Sequence, residues 1–384
     1  MTQHVLLDAT AVPADRGGVG RYVDELAPAL VRAGVDLTIV CQARDVPVYE
    51  PSGARVVAAP GWIARRPARM VWEQVGLPLL ARRVRADVLH SPHYTMPVAS
   101  PVPTVVTLHD ATFFTAPQWH LRSKAVFFRA ATRLAVRRAR ALVVPSAATR
   151  DEVLREAGGD PSRFHVAYHG VDAAVFRHVD AAESRRVADG FGVQGSYVAF
   201  LGTLEPRKNV GALVDGWVAA VADDPTPPAL VLAGARGWDA ELDAVLARVP
   251  DGLRVVVPGY LPLGDLAGLL AGADVVAYPS LGEGFGLPVL EAMACGSTVL
   301  TTRRLSLPEV GGDAVEYCET GAADIATALR ALLDDPARRA ELGSAAARRA
   351  AGFTWDAAAA VHVEAYAQAR SRTGRTSRTV RGRR

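Results

Sequence analysis

Cysteine is scarce in this chain of 384 residues: Cys41, Cys295 and Cys318 are the only three. Three thiols cannot build a disulfide framework, so a reducing compartment, the cytoplasm, is the expected setting. Lysine is scarcer still. Of 43 basic residues only Lys124 and Lys208 are lysine, so a lysine inside a motif carries weight. A secretory leader is not expected, because Met1-Thr2-Gln3-His4 lacks a basic start and Asp8 interrupts the apolar stretch behind it. The longest run without acid, lysine or arginine, 88–109, contains Pro92, Pro97, Pro101 and Pro103 and cannot be a continuous membrane helix. No two aspartates are separated by a single residue, so the D-x-D arrangement that holds a divalent metal in many sugar-nucleotide enzymes is missing; no metal and no cofactor are expected. Excess charge of one sign is missing too. The formal net charge is +3, and seven arginines crowd into the last fifteen residues, which leaves a slightly acidic body and no case for nucleic acid.

What is present is a globular composition, 50% hydrophobic and 22% charged, long enough for two domains. Short β-rich runs recur at 4–7, 37–41, 55–58, 88–90, 104–108, 141–144 and 165–168. A second series follows at 197–201, 230–233, 254–257, 275–278 and 298–301. Helical stretches such as 19–33, 210–222 and 287–295 lie between them. Continuously apolar strands alternating with amphipathic helices predict α/β architecture with parallel sheets covered on both faces. Twelve strands are many for one open sheet. The polar stretch 178–196, with three glycines, therefore reads as the break between two Rossmann-like, doubly wound domains, 1–177 and 196–352, facing one another across a cleft. A further helix, 353–370, follows, and the tail 371–384 has the composition of a disordered segment. The stretch 121–140, with Phe127 and Phe128 beside several arginines, reads as a surface helix; a basic amphipathic helix of this kind also suits peripheral contact with an anionic membrane.

The densest chemical signal is Gly282-Glu283-Gly284-Phe285-Gly286-Leu287-Pro288-Val289-Leu290-Glu291, directly behind the strand 275–278. Its glycines allow a tight turn, and Pro288 suits a first helical turn. The unpaired amides of that turn make an anion site, suited to phosphate, and Glu291 lies one turn further in, in reach of a hydroxylated group such as a ribose. A hydrolase pair is disfavoured: eight helical steps span ~12 Å, whereas a retaining pair needs ~5–5.5 Å. The second signal, Gly202-Thr203-Leu204-Glu205-Pro206-Arg207-Lys208-Asn209, follows the strand 197–201 and sets adjacent cations where a diphosphate could be bound. Gly17 and Gly18, in Asp15-Arg16-Gly17-Gly18-Val19-Gly20, come too late after the first strand and with the wrong spacing for a dinucleotide fingerprint, and read as a glycine-rich helix start. His109 in Leu108-His109-Asp110 sits at a strand's carboxyl end. His90, His93 and His169 read as structural, and Ser306-Leu307-Pro308-Glu309 reads as a capping box.

In their order along the chain, Gly17 to Tyr22, Leu108-His109-Asp110, Gly170-Val171-Asp172, Gly202 to Asn209 and Glu283 to Glu291 resemble the retaining GT-B glycosyltransferases of family 4, over about residues 4–366. The resemblance implies a nucleotide-sugar donor in the C-terminal half and an acceptor against the N-terminal half. It implies that Arg207 and Lys208 hold the diphosphate, and that the backbone of Phe285, Gly286 and Leu287 contacts sugar and phosphate. Glu283 would meet donor-sugar hydroxyls, Glu291 the ribose, His109 the sugar near the reacting carbon, and Gly17 and Gly18 the acceptor or phosphates. Gly259 and Tyr260 would border the base, and the helix 353–370 would cross back onto the first domain. Thr203 stands where many members carry arginine. The Glu-Pro-Arg-Lys-Asn form resembles a subset rich in mannosyl- and rhamnosyltransferases, which tilts the donor toward GDP-mannose, with a glycan, lipid-linked or small-molecule acceptor. The competing readings are a nucleotide-sugar epimerase on the same fold and a non-catalytic partner that binds a sugar nucleotide.

Overall fold

In the computed structural model, which describes residues 3–14 and 16–376, the chain forms two compact units. It passes from the first to the second between Gly170 and Val171 and returns between Phe353 and Thr354. Residues 171–195, read above as the end of one domain and a linker, belong to the second unit. There the helix Ala181–Gly190, capped by Asp180 on the amide of Glu183, buries Val187 and Ala188 in the second core. Of the three glycines of that stretch, Gly190 ends this helix and Gly192 and Gly195 lie in the turn behind it, inside a domain.

The first unit is built on a seven-stranded sheet, every pairing parallel, in the order β3-β2-β1-β4-β5-β6-β7. Its strands are β1 (His4–Asp8), β2 (Asp36–Cys41), β3 (Arg55–Ala58), β4 (Val88–Ser91), β5 (Thr104–Thr107), β6 (Ala141–Val144) and β7 (Phe164–Val166). Val5, Leu6 and Leu7 are all fully buried, because their alternating side chains meet packed layers on both faces of the sheet. Leu6, Val40 and Leu89 lie in one cluster with Leu77 and Ala81 of the helix Arg66–Arg83. Val5 and Leu7 lie in another with Tyr22 and Leu26 of the helix Gly17–Arg32 and with Ala359 and Tyr366 of the helix Trp355–Thr376. That last helix runs six residues into the segment read as a disordered tail; residues 377–384 lie outside the described residues.

The second unit carries a six-stranded parallel sheet in the order β10-β9-β8-β11-β12-β13. Its strands are β8 (Tyr197–Leu201), β9 (Ala229–Ala233), β10 (Val255–Gly259), β11 (Val275–Tyr278), β12 (Val299–Thr302) and β13 (Glu316–Cys318). All twelve strands read from the sequence are present, to within two residues at their ends. The thirteenth, β13, has three half-buried residues and no aliphatic run to announce it. In each sheet the strand order reverses once, between β1 and β4 and between β8 and β11. The carboxyl ends flanking such a reversal are where open parallel sheets take ligands.

Candidate functional site

In the second unit the reversal brings the two strongest sequence signals together. The segment after β8 turns through Pro206–Lys208 and ends on Asn209, whose φ of +60° is a left-handed conformation held by its own side chain. Asn209 Nδ2 donates to the carbonyls of Pro279 (3.2 Å) and Thr320 (2.9 Å). The amide of Leu281 and the hydroxyl of Ser280 return hydrogen bonds to the carbonyl of Arg207, at 2.9 and 3.1 Å. The basic turn is thus fixed against the loop after β11 from both sides.

Glu283 is the hub. Its Oε1 accepts from Lys208 Nζ (2.7 Å), Ser280 Oγ (2.7 Å) and the Tyr278 hydroxyl (3.0 Å), while Oε2 pairs with Arg207. Arg207 also donates to Glu205 (2.6 Å) and to the carbonyl of Gly282 (2.9 Å), and Lys208 to the Tyr278 hydroxyl. Burial pushes the Glu283 carboxyl up, but the charges of Arg207 and Lys208 outweigh it and bring the pKa down to about 2. Burial and the neighbouring Arg207 lower the Lys208 ammonium, against the opposing pull of Glu283. Two cations here face two carboxylates. With every group ionised the cluster is neutral, and its donors are already oriented.

Behind it the helix Leu287–Ala294 starts after Gly286, whose φ of +107° favours glycine and whose Cβ, if present, would lie 2.9 Å from Leu307. Pro288 occupies its first turn, and Glu291 is buried one turn in. Ser306 does not form the expected capping box: it precedes the helix Leu307–Gly311 with helical backbone angles (φ −79°, ψ −12°), and its side chain makes no capping bond. Its buried hydroxyl instead lies 2.8 Å from the carbonyls of Glu283 and Phe285 and ties down the glycine-rich loop. Thr302, at the end of β12, bonds the Ser280 carbonyl from the other side at 2.7 Å.

Gly202 and Gly259 stand on one ladder of loop ends: the amide of Gly202 donates to Ala233 and that of Gly234 to Gly259. Gly234 escaped the sequence reading. A Cβ on it would fall 2.1 Å from the Gly202 carbonyl oxygen, at a φ of +136°, so the two loops can meet only without a side chain there. Its signal was the Ala233-Gly234-Ala235 step directly after a strand. Tyr260 is 75% exposed beside Gly259.

The remaining named residues belong to the first unit. Gly17 and Gly18 open the helix Gly17–Arg32, and Cβ atoms on either would meet open space. Arg16 fixes that turn through Asp24, Asp45 (2.8 Å) and the Tyr49 hydroxyl (3.1 Å). His109, after β5, sets Nε2 2.7 Å from the Pro92 carbonyl and its ring edge-on to Tyr22. The Tyr22 hydroxyl meets Thr107 (2.9 Å) and His362 (2.6 Å), Thr107 meets His90 (2.8 Å), and His90 meets Tyr366 (2.8 Å). Burial, first among the causes, lowers the pKa of His90, His93, His109, His169 and His362, to about 3 for His93 and about 4 for His362. His362 stands alone in an alanine-rich helix, and nothing in the sequence marked it. Among the described residues no three His, Cys, Asp or Glu side chains are grouped as metal ligands would be.

Residues 16–175 match the family Glycosyltransferase Family 4, and residues 195–335 match Glycosyl transferases group 1. The chain is 30% identical to the O-antigen chain mannosyltransferase B of Escherichia coli over 78% of its own length and 77% of that protein. It is 29% identical to a D-inositol 3-phosphate glycosyltransferase of Kineococcus radiotolerans, over 92% of its length and 91% of that one. Among solved structures it resembles Anabaena HepE in complex with UDP-glucose, with a TM-score of 0.73 and 20% identity over 97% of this chain and 99% of that one.

Proposed function

Because the chain belongs to the family 4, group 1 glycosyltransferases of GT-B fold, we propose that it moves a hexose, with GDP-mannose the favoured donor, onto a glycan, lipid-linked or small-molecule acceptor with retention of configuration. Sugar transfer from a nucleotide-sugar donor comes with the family; the base, the sugar and the stereochemistry are the proposal. The observation that carries it is the Arg207–Lys208–Glu283 cluster at the strand reversal of the second sheet, next to the helix that carries Glu291.

Departure of a nucleoside diphosphate builds negative charge on phosphate oxygens. Fixed donors aimed at such charge are usually the largest single catalytic term. Arg207 and Lys208 supply them together with the first amides of the helix Leu287–Ala294, so the reading needs no metal. Glu283 keeps both cations oriented and offers its carboxylate to the donor sugar when they turn to phosphate. Glu291 is assigned to the ribose, Phe285, Gly286 and Leu287 to sugar and phosphate through their backbone, and Gly202, Gly259 and Tyr260 to the nucleotide. His109 is assigned to the reacting sugar and Gly17 and Gly18 to the acceptor or phosphates; burial keeps the His109 imidazole neutral, a hydrogen-bonding group rather than a cation. GDP-mannose is favoured by the Glu205-Pro206-Arg207-Lys208-Asn209 form and by the mannosyltransferase relative.

A thermal-shift screen with GDP-, UDP- and dTDP-sugars tests the donor, since a ligand stabilises the fold that binds it. GDP-mannose should give the largest shift. A larger shift with a UDP-sugar would replace it, and incubation without acceptor that epimerises the donor would replace transfer itself.

A further inference from the structure

The first unit carries an apolar ridge that its own core does not cover. On the helix Arg66–Arg83, Val71, Val75 and Leu79 recur every four residues and are 59%, 58% and 59% exposed. Residues at that spacing share one face. Two neighbouring segments extend the ridge. Trp62, 54% exposed, stands edge-on to Trp72 of the same helix, and the amide of Val98, 52% exposed, donates to Gln74 at 2.9 Å. A shallow groove of about 290 Å³, lined by Val75, Pro78, Leu79, Arg82 and Pro101, runs along it.

Charge frames the ridge with one sign. Arg65, Arg66, Arg82, Arg83 and Arg85 are exposed at the two ends of the helix, and among the described residues none of them is paired with an acid. The only acid between Trp62 and Arg85 is Glu73. It faces inward, is 4% exposed, and is held by Arg69 (3.1 Å) and Thr95 (2.6 Å). A second copy of the chain is a poor occupant, because a two-fold contact sets a patch against itself and would bring arginines onto arginines. The helix 122–138, which the sequence offered for such a role, does not match this face: its exposed large apolar residue is Val126, with Leu121 just before it, and Phe127 and Phe128 are half-buried.

We propose that the 66–83 helix, with Trp62 and Val98, is a docking surface for an anionic lipid bilayer. Its aliphatic ridge enters the boundary between head groups and acyl chains, the arginines meet lipid phosphates, and Trp62 lies at the interface, where tryptophan is enriched. Bilayer contact is independent of donor choice, so the proposal stands or falls apart from the sugar assignment.

Co-sedimentation of the full chain with vesicles tests it, comparing phosphatidylcholine alone with an equal mixture of phosphatidylcholine and phosphatidylglycerol. The wild type should pellet with the mixed vesicles, release as salt is raised, and stay largely free of the neutral ones. Val75→Glu/Leu79→Glu should weaken binding at least about tenfold with an unchanged circular dichroism melt. Arg82→Ser/Arg83→Ser, which alters only exposed charge, should abolish the preference for anionic lipid. Val126→Glu should bind like wild type. Full binding by both double variants, no wild-type binding to either vesicle, or loss of binding in Val126→Glu would overturn the proposal. So would a wild-type dimer that Val75→Glu/Leu79→Glu splits.

Discussion

The two sheets share a topology and differ in what they hold at their carboxyl ends. Beyond the second sheet, Arg207, Lys208, Glu205 and Glu283 form a buried ionic cluster, with Glu283 held at about 2. At the first sheet five histidines with lowered pKa values share the region with Tyr22, Tyr366 and Thr107, and Arg16 in the turn after β1 is already paired with Asp24 and Asp45. Burial also raises the carboxyls of Asp8, at the end of β1, and Glu73 beside it. The second unit thus gathers two adjacent cations, suited to a compact, highly charged group, at its strand reversal. The other presents neutral hydrogen-bonding groups, which suit hydroxyls.

Removing a charge from the second unit should have the largest effect. Lys208→Ala is expected to lower kcat/KM by at least about two orders of magnitude with the fold intact by circular dichroism, the usual loss on deleting a transition-state donor. Turnover near wild type would erase the contrast. Gly234→Ala forces a Cβ against the Gly202 carbonyl and should cost about 1–3 kcal/mol or more, read as a lower urea midpoint.

Acid should strike the first unit before the second. A histidine kept neutral below the ordinary 6.5 contributes stability above that pH and loses it as the pH falls toward its folded value, about 4 for His362 and about 3 for His93. Each contributes up to about 1.4 kcal/mol per pH unit in that window. Asp8, Glu73 and Glu152 act in the opposite sense, three groups against five. Glu283 loses its contribution only below about 4.5, toward 2. Hydrogen exchange at pH 7 and pH 5 should show protection falling in the first unit while the second holds; uniform loss would contradict the assignment. The smallest effect is expected for Ser306→Ala, which frees two loop carbonyls and should weaken donor binding roughly tenfold, about 1–2 kcal/mol.

The sequence carried the second unit's site better than the first's, for a physical reason. Arg207, Lys208, Glu283 and Glu291 lie in two short segments next to their own strands, so local pattern and strand-end position place them together. Gly234 and Ser306 act on those segments from other strands, Gly234 by a close backbone approach and Ser306 through a hydroxyl whose local sequence resembles a helix cap. The His90–Thr107–Tyr22–His362 chain joins residues as many as 340 positions apart, and only the return of the helix Trp355–Thr376 onto the first sheet assembles it. The domain boundary was misplaced because a glycine-rich turn inside a domain has the same composition as a linker.

Titration calorimetry of GDP and UDP into the wild type and Lys208→Ala is the most direct check. At least one nucleoside diphosphate should bind the wild type and bind Lys208→Ala at least about a hundredfold more weakly, a difference of about 2.7 kcal/mol. Equal affinity in the two proteins, or no binding of either nucleotide to the wild type, would contradict it.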